Sequence, residues 1–440
     1  MRRVLPALSL FVLSAALQAA DVPPDITVAA DGSGQFTSIQ KALDSISKDN
    51  KDRIVIYVKD GTYNERLRVD PSFITLRGQS RENTKIEFVF PYSAYRRGQD
   101  PLGRAIVNLG PPSAPSTQPD KRPDGPTGSD FVLQNITVHN NSGVHNHSFT
   151  LYTETADRLV ITDANILSPG GDTLAPMNTN QGPAGGGRYY FARLDVHGAV
   201  DFVCPKGWCY MVDSHLFEEI KDASTWHNGF GDKNQKFVLK NVHFEGVDGF
   251  YLGRHHVAAN FYYINCTVGK NIGDRPVWLV RYAAGSAQNQ INDRQNPWGD
   301  RVYFYNMKKE GGGEFPWMKN NLDTAEGSPK PDQITAAWTF DNTWNPERTD
   351  APTIKSIRWD APSHKIAVTF SENVSVKGRP RVLSDGEAAA YSSGSGSDTL
   401  LFDASANSAG KVRSLDLNGG FIIATEADAT LRQADLTLPK

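Results

Sequence analysis

Between residues 131 and 271 the chain keeps returning to one pattern, two apolar pairs split in most copies by an Asn or Asp. The copies are FVLQNITVHNN from 131, LVITDANILSP from 159, YYFARLDVHGA from 189, CYMVDSHLFEE from 209, KFVLKNVHFEG from 236 and FYYINCTVGKN from 261. They start 28, 30, 20, 27 and 25 residues apart. Such steps suit single coils of a parallel β-helix, where short strands stack in register and loops of uneven length leave one side. Val, Ile, Leu and Phe would fill the interior, and the recurring Asn would take tight turns that need left-handed backbone. The pattern predicts an all-β solenoid.

Upstream, FTSIQKALDSISKD (36–49) places Ile39, Ala42, Leu43 and Ile46 at helical spacing. This predicts a helix starting at Thr37 or Ser38 and covering the open end of the solenoid. RIVIYVKDGTYNERLRVD and ITLRGQSRENTKIEF then alternate as strands around Gly turns. Pro91 to Ser129 is rich in Pro, Gly, Ser and Arg and reads as a long excursion loop. After Trp344-Asn345-Pro346 the texture changes to short alternating strands with frequent turns, such as KIAVTFSENVSV and VRSLDLNGGFII. Residues 351–440 therefore predict a small β-sandwich, with a boundary near Asp350 and the solenoid domain spanning 21–350.

Arg2 and Arg3, an apolar run from Val4 to Leu17, and Ala19-Ala20 have the layout of a secretory leader over residues 1–20. The run is short for a bilayer span, so the expectation is an exported chain, secreted or periplasmic, with no membrane span. A net charge of −3 gives no case for nucleic acid. Cys204, Cys209 and Cys266 lack zinc-ligand spacing with histidines, so no metal and no cofactor is expected. Cys204 and Cys209 could close a small loop, and Cys266 reads as a buried apolar residue.

Three segments carry candidate chemistry: GGDTL (170–174), HGAVDFVCPKG (197–207) and YLGRHH (251–256). Each sets one reactive side chain, Asp172, Asp201 or Arg254, beside glycines where a strand turns. Two carboxylates and a guanidinium suffice for ester hydrolysis: one carboxylate attacks, the other shuttles a proton, and the arginine keeps the attacker ionised. A lone Asp in a Gly-rich turn is more often a turn former, and an Asp201–Arg254 pair could be a structural staple between coils. A calcium site of clustered carboxylates, which a polygalacturonate lyase would want, is not evident.

Taken in order, these segments resemble the pectin methylesterases (pectinesterases). TVAADGSGQFTSIQKALDSI, RIVIYVKDGTYNERLRV and ITLRGQSRENTKI look like the family's opening of DGSG, a helix, a VKxGxYxE strand and a turn. ITVHNNSG resembles ITFxNTAG, GGDTL stands where the family has YQDTL, HGAVDFVCPKG where it has GTVDFIFG, and YLGR where it has LGRPW. Trp344-Asn345-Pro346 sits where the family closes with W-x-P. The resemblance covers about residues 26–346, and the tail looks like an immunoglobulin-like module appended to secreted polysaccharide enzymes.

The resemblance implies a right-handed parallel β-helix that removes methyl esters from galacturonate in pectin (homogalacturonan); the chain is separately expected to be a monomer. By position, Asp201 would be the nucleophile, Asp172 the proton donor and then base, and Arg254 the partner that lowers the pKa of Asp201. The expected substrate contacts are Asn141, His147, His256 and Trp226. Tyr152, Phe202 and Trp278 are further aromatic candidates, and His255, Lys206 and Arg188 possible polar ones. The chain also departs from the family. The glutamine before DTL is Gly171, a second glutamine falls on His147 or Ser148, the tryptophan of LGRPW is His256, and the threonine of NTAG is Asn141. Those glutamines are the expected oxyanion donors, and a histidine at 147 could donate instead. The departures keep two alternatives open: an acyl esterase or thioesterase using the same three residues, and a non-catalytic polysaccharide-binding solenoid.

Overall fold

The computed structural model describes residues 22–91, 100–110, 127–143, 147–178, 185–360, 362–384, 387–404, 412–427 and 431–439. The leader, most of the Pro91–Ser129 segment and the middle of NTNQGPAGGG lie outside the described residues.

The repeat becomes a parallel β-helix, each copy supplying strands to two adjacent faces. In Val132–Asn140 and Leu159–Leu167 one strand runs through both faces and bends at Asn135 and Asp163, with φ of 56° and 53°. The same corner recurs at Arg193, Asp213, Asn241, Asn265 and Asn306, all with φ between 50° and 56°. Left-handed backbone is costly for most side chains and least so for Asn and Asp. That cost explains why the corner is written mostly in those two residues.

Stacking in register then builds the core. On the first face Ile56, Leu76, Leu133, Ile161, Phe191, Met211, Leu239, Tyr263 and Phe304 follow one another. On the second, Ile86, Val138, Ile166, Val196, Leu216, Phe244 and Val268 do the same. All are buried, and each contributes about 1.5–3 kcal/mol of apolar burial. The outward row of the first face (Val160, Tyr190, Tyr210, Val238, Tyr262) is covered in turn by Leu322, Ile334, Phe340 and Trp344.

The third face carries the candidate residues and is less regular. One ladder joins Leu67–Val69, Val107–Leu109, Leu151–Thr153 and Leu174–Pro176. Another joins Ala223–Trp226, Tyr251–His255 and Trp278–Leu279. Between them Val203 makes single bridges to Leu174 and to Thr225, so the coil holding Asp201 replaces a strand with a turn.

The N-terminal helix is shorter than its pattern predicts, Ile39–Asp44, with Ile39, Ala42 and Leu43 buried. Ser38 is its cap. The Glu65 carboxylate also accepts from the N–H groups of Ile39 (2.8 Å) and Gln40 (3.1 Å). The Ser45 hydroxyl donates to the Ala42 carbonyl at 2.7 Å, which competes with continuing the helix.

From Ile354 onward the strands run antiparallel. The long strand Lys365–Lys377 pairs with Ile354–Asp360 and Ser397–Asp403, and its end pairs with Phe421–Ala424. The seven strands of this region share one ladder and a separate core around Val368, Phe370, Leu400 and Phe402. It is tied to the solenoid by the Trp344 indole N–H, 3.0 Å from the Ala427 carbonyl. Arg53, fully buried, donates to the Thr425 carbonyl at 2.9 and 3.1 Å and to the Asp130 carbonyl at 2.6 Å.

Candidate active site

Asp172 and Asp201 occupy the same kind of corner on successive coils, at the entry to the third face, with φ of 55° and 56°. The glycines beside them answer to crowding. A Cβ at Gly198 would lie 2.3 Å from Cβ of Phe202 and 2.4 Å from the Thr173 hydroxyl. The Asp201 amide donates to the Ala223 carbonyl at 2.7 Å, which fixes the turn.

Arg254 reaches Asp201 from the coil pair further on. Its Nε lies 2.9 Å from Oδ1 and its Nη2 2.8 Å from Oδ2, a two-point clamp. Its Nη1 contacts Asp222 Oδ1 at 3.3 Å. Arg254 was expected to depress the Asp201 pKa, and the balance comes out otherwise. Burial raises it, the arginine pulls it back, and Asp172 and Asp222 add repulsion, leaving the carboxyl at about 7. Nearby Glu218 is fully buried and is pushed up to about 9 by desolvation, so it adds no negative charge near neutrality.

Asp172 has a different partner. Its Oδ2 lies 2.7 Å from Nδ1 of His147, and the Cys204 thiol points at Oδ1 from 3.5 Å. The hydrogen bond to Asp172 raises the His147 pKa against the effect of burial, with Asp201 close enough to add to the rise. The oxyanion role expected of His147 would therefore fall to Nε2, because Nδ1 is turned to Asp172. His147 also bridges Gly171. A Cβ there would lie 3.7 Å from His147 Nδ1 and 2.7 Å from the Val200 carbonyl, so the imidazole borders the space a side chain at 171 would enter. Ser148, the other position for the second glutamine, is buried with its hydroxyl 2.8 Å from that of Ser142.

Trp226 and His256 are brought together. The indole N–H donates to Nδ1 of His256 at 2.8 Å, which requires that nitrogen to be unprotonated. Desolvation and the neighbouring Arg254 agree, pushing His256 down to about 4. Tyr282 extends the row, its ring 5.9 Å from that of His256. Trp226, Arg254 and Trp278 are register partners on three successive coils, and the Arg275 guanidinium sits 3.7 Å over the Trp278 ring. Phe149, Tyr152, Ala175 and Cys204 belong to one small buried cluster, with Trp226 packed against it. Arg104 lies 4.4 Å over the Tyr152 ring.

Asn141 is exposed, and its backbone N–H donates to the Phe88 carbonyl. Other expected contacts are engaged elsewhere. Phe202 is fully buried in the core, so it offers no platform. His255 is fully buried, with Nδ1 on the Val257 carbonyl at 2.8 Å, which removes it from any substrate. Arg188 is held by Asp157. All three cysteines are buried and unbonded, so the loop closure between Cys204 and Cys209 is absent. Arg104, Arg275 and Tyr282 were missed; each sits in an irregular segment with no periodic signal.

Among the described residues a second constellation, on the second face, was missed entirely. His215 and His243 with Glu245, and Asp195 and His197 with His215, form two groups of potential metal ligands. They come from different coils, so no local spacing marks them.

The comparisons agree with this fold. The sequence model of the Pectinesterase family matches residues 25–92. A pectinesterase of Petunia integrifolia is 28% identical over 193 residues, 43% of this chain and 44% of that protein. A probable pectinesterase/pectinesterase inhibitor of Arabidopsis thaliana is 27% identical over 250 residues, 53% of this chain and 39% of that one. The chain thus spans less than half the length of these curated relatives. In fold it is similar to the pectin methylesterase from carrot, with a TM-score of 0.52 and 18% identity over 74% of this chain and 98% of that one. It is also similar to the pectin methylesterase PemA from Erwinia chrysanthemi, with a TM-score of 0.55 and 17% identity over 74% and 98%. A pectin methylesterase solved in complex with a hexasaccharide gives a TM-score of 0.55 at 18% identity, over 74% and 99%. The chain is thus similar in sequence to the pectinesterase family over its N-terminal coils and similar in fold to pectin methylesterases along its parallel β-helix.

Proposed function

We propose that the chain is a carboxylic ester hydrolase that removes methyl esters from galacturonate in pectin, with Asp201 as nucleophile. The observation that carries this reading is a buried carboxylate clamped at two points by Arg254, with a second carboxylate at the matching corner of the preceding coil. The clamp aims Asp201 and favours its ionised form, although burial leaves it only partly ionised near neutrality. Asp201 attacks the ester carbonyl. Methoxide leaves with a proton and becomes methanol, and the galacturonyl group stays on Asp201 as an anhydride. The His147–Asp172 pair holds that proton between an imidazole and a carboxylate. Water then opens the anhydride as the pair takes the proton back, which restores Asp201 and frees the galacturonate.

The aromatic row of Trp226, His256 and Tyr282 suits stacking on sugar rings, and Arg104 and Arg275 suit uronate carboxylates. A related fold was solved with a hexasaccharide bound, which supports a polymeric substrate. The leader pattern over residues 1–20 supports export, and no helix of the described residues is long and apolar enough to cross a membrane. Residues 21–350 would carry the chemistry and 351–440 an appended module.

Gly171 and the His147–Asp172 pair favour keeping one second reading, an esterase for another acyl group. Methanol release from methylated homogalacturonan, acetate release from acetylated pectin and thiol release from an acyl thioester, measured side by side, decide between the two. Methanol as the dominant product supports the proposal. Acetate or thiol dominant, with little methanol, would overturn it.

A further inference from the structure

The second face carries a ladder of imidazoles and carboxylates that the esterase chemistry does not use. Asp195, His215 and His243 are register partners on three successive coils, and Glu245 lies two residues beyond His243 on the same strand. Alternate residues of a strand share a face, so all four point the same way. Glu245 stands between the two imidazoles, its Oε2 3.0 Å from Nε2 of His215 and its Oε1 4.0 Å from Nε2 of His243. Nε2 of His243 is shielded from solvent and makes no well-formed hydrogen bond, though Glu310 approaches it to 3.3 Å. On the far side of His215, Nδ1 lies 2.7 Å from Asp195.

We propose that His215, His243 and Glu245 form a binding site for a divalent transition-metal ion of the zinc type, with Asp195 orienting His215 from behind. The potential ligand atoms of the three already lie within 4.8 Å of one another. Two imidazoles and one carboxylate suit zinc, cobalt or nickel rather than calcium or magnesium. A metal-bound imidazole usually donates its other N–H to a carboxylate, and Asp195 stands at that place. Binding replaces a proton on Nε2 of His215 with the metal, while Nδ1–H stays on Asp195; the proton goes to solvent. The three side chains are about one-third to two-fifths exposed, so the ion has a route in. Because His215 and His243 are 28 residues apart on adjacent coils, the ion would staple one coil to the next. This makes the site structural and independent of the esterase reading.

The test uses the full mature chain, free of any histidine tag and stripped with chelator. Zinc chloride is titrated by calorimetry, and cobalt chloride by visible absorption. The expected result is one ion per chain, a rise in Tm with zinc as binding to the native state requires, and affinity lowered at least about tenfold in His215→Gln and in His243→Gln. Variants whose circular dichroism matches the parent exclude misfolding as the cause, and His197→Gln should bind as the parent does. No binding at 1 mM zinc would overturn the proposal. So would binding lost in His197→Gln and kept in His243→Gln, because that would assign the ion to Asp195, His197 and His215.

Discussion

At the scale of single residues the site turns on where two protons sit. In the proposed mechanism Asp201 has to be ionised to attack, and burial places its carboxyl at about 7 despite Arg254. Below that pH its ionised fraction falls about tenfold per unit, so kcat/KM should fall with it. In that mechanism the opposite limb comes from His147, whose pKa the hydrogen bond to Asp172 raises above its ordinary value and whose proton is lost as pH rises past it. A bell-shaped profile for methanol release is the expected outcome. In His147→Ala the alkaline limb should collapse and kcat should drop by roughly 10²–10⁴, the usual weight of a general acid–base group. A flat profile between pH 5 and 9 would contradict this assignment. The sequence singled out Asp172, Asp201 and Arg254 because each stands in a short Gly-marked turn, and the structure brings Arg254 onto Asp201. The state of Asp201 was not legible there, because a pKa depends on the burial and charges that other coils supply.

At the scale of elements, one corner repeated along the solenoid explains both the visible pattern and its exceptions. Asn135, Asp163, Asp213, Asn241 and Asn265 mark left-handed turns and made the coils countable from the sequence. The coil at Asp300–Tyr305 continues the same ladder, yet it escaped notice. An insertion with its own helix, Ala287–Arg294, breaks the repeat just before it. The second-face ladder was hidden for a related reason, since its members meet only through register. At the Asp172 corner, Gly171 is required by space. Gly171→Gln, which would introduce the glutamine that the resemblance to pectin methylesterases leads one to expect there, should not create an oxyanion donor. Its Cβ would press on the Val200 carbonyl at 2.7 Å, at a cost of about 1–3 kcal/mol. Denaturant melts should show that loss, with methanol release unchanged or lower; a gain in rate without loss of stability would refute the point.

Across the whole molecule, the antiparallel region is fastened by polar groups withdrawn from water. Arg53 spends its guanidinium on backbone carbonyls of Thr425 and Asp130, while Lys377 pairs with Asp25 at 2.9 Å. The sequence showed a change of texture near Asp350 but nothing of this seam, because Arg53 and Thr425, like Asp25 and Lys377, are more than 300 residues apart. Arg53→Met would leave the Thr425 carbonyl without its donors, a loss of about 1–3 kcal/mol. Thermal unfolding should show a lower Tm, with the two regions melting less together. An unchanged single transition would mean the seam contributes little.

The most direct test of the central claim is methanol release from highly methylated homogalacturonan by the mature chain beside Asp201→Ala, with circular dichroism showing both folded. Release by the parent and a loss of at least about 10³-fold in the variant is the predicted result, on the scale seen when a nucleophile is removed. Methanol released at comparable rates by both would contradict the account, because the attacking atom would then lie elsewhere.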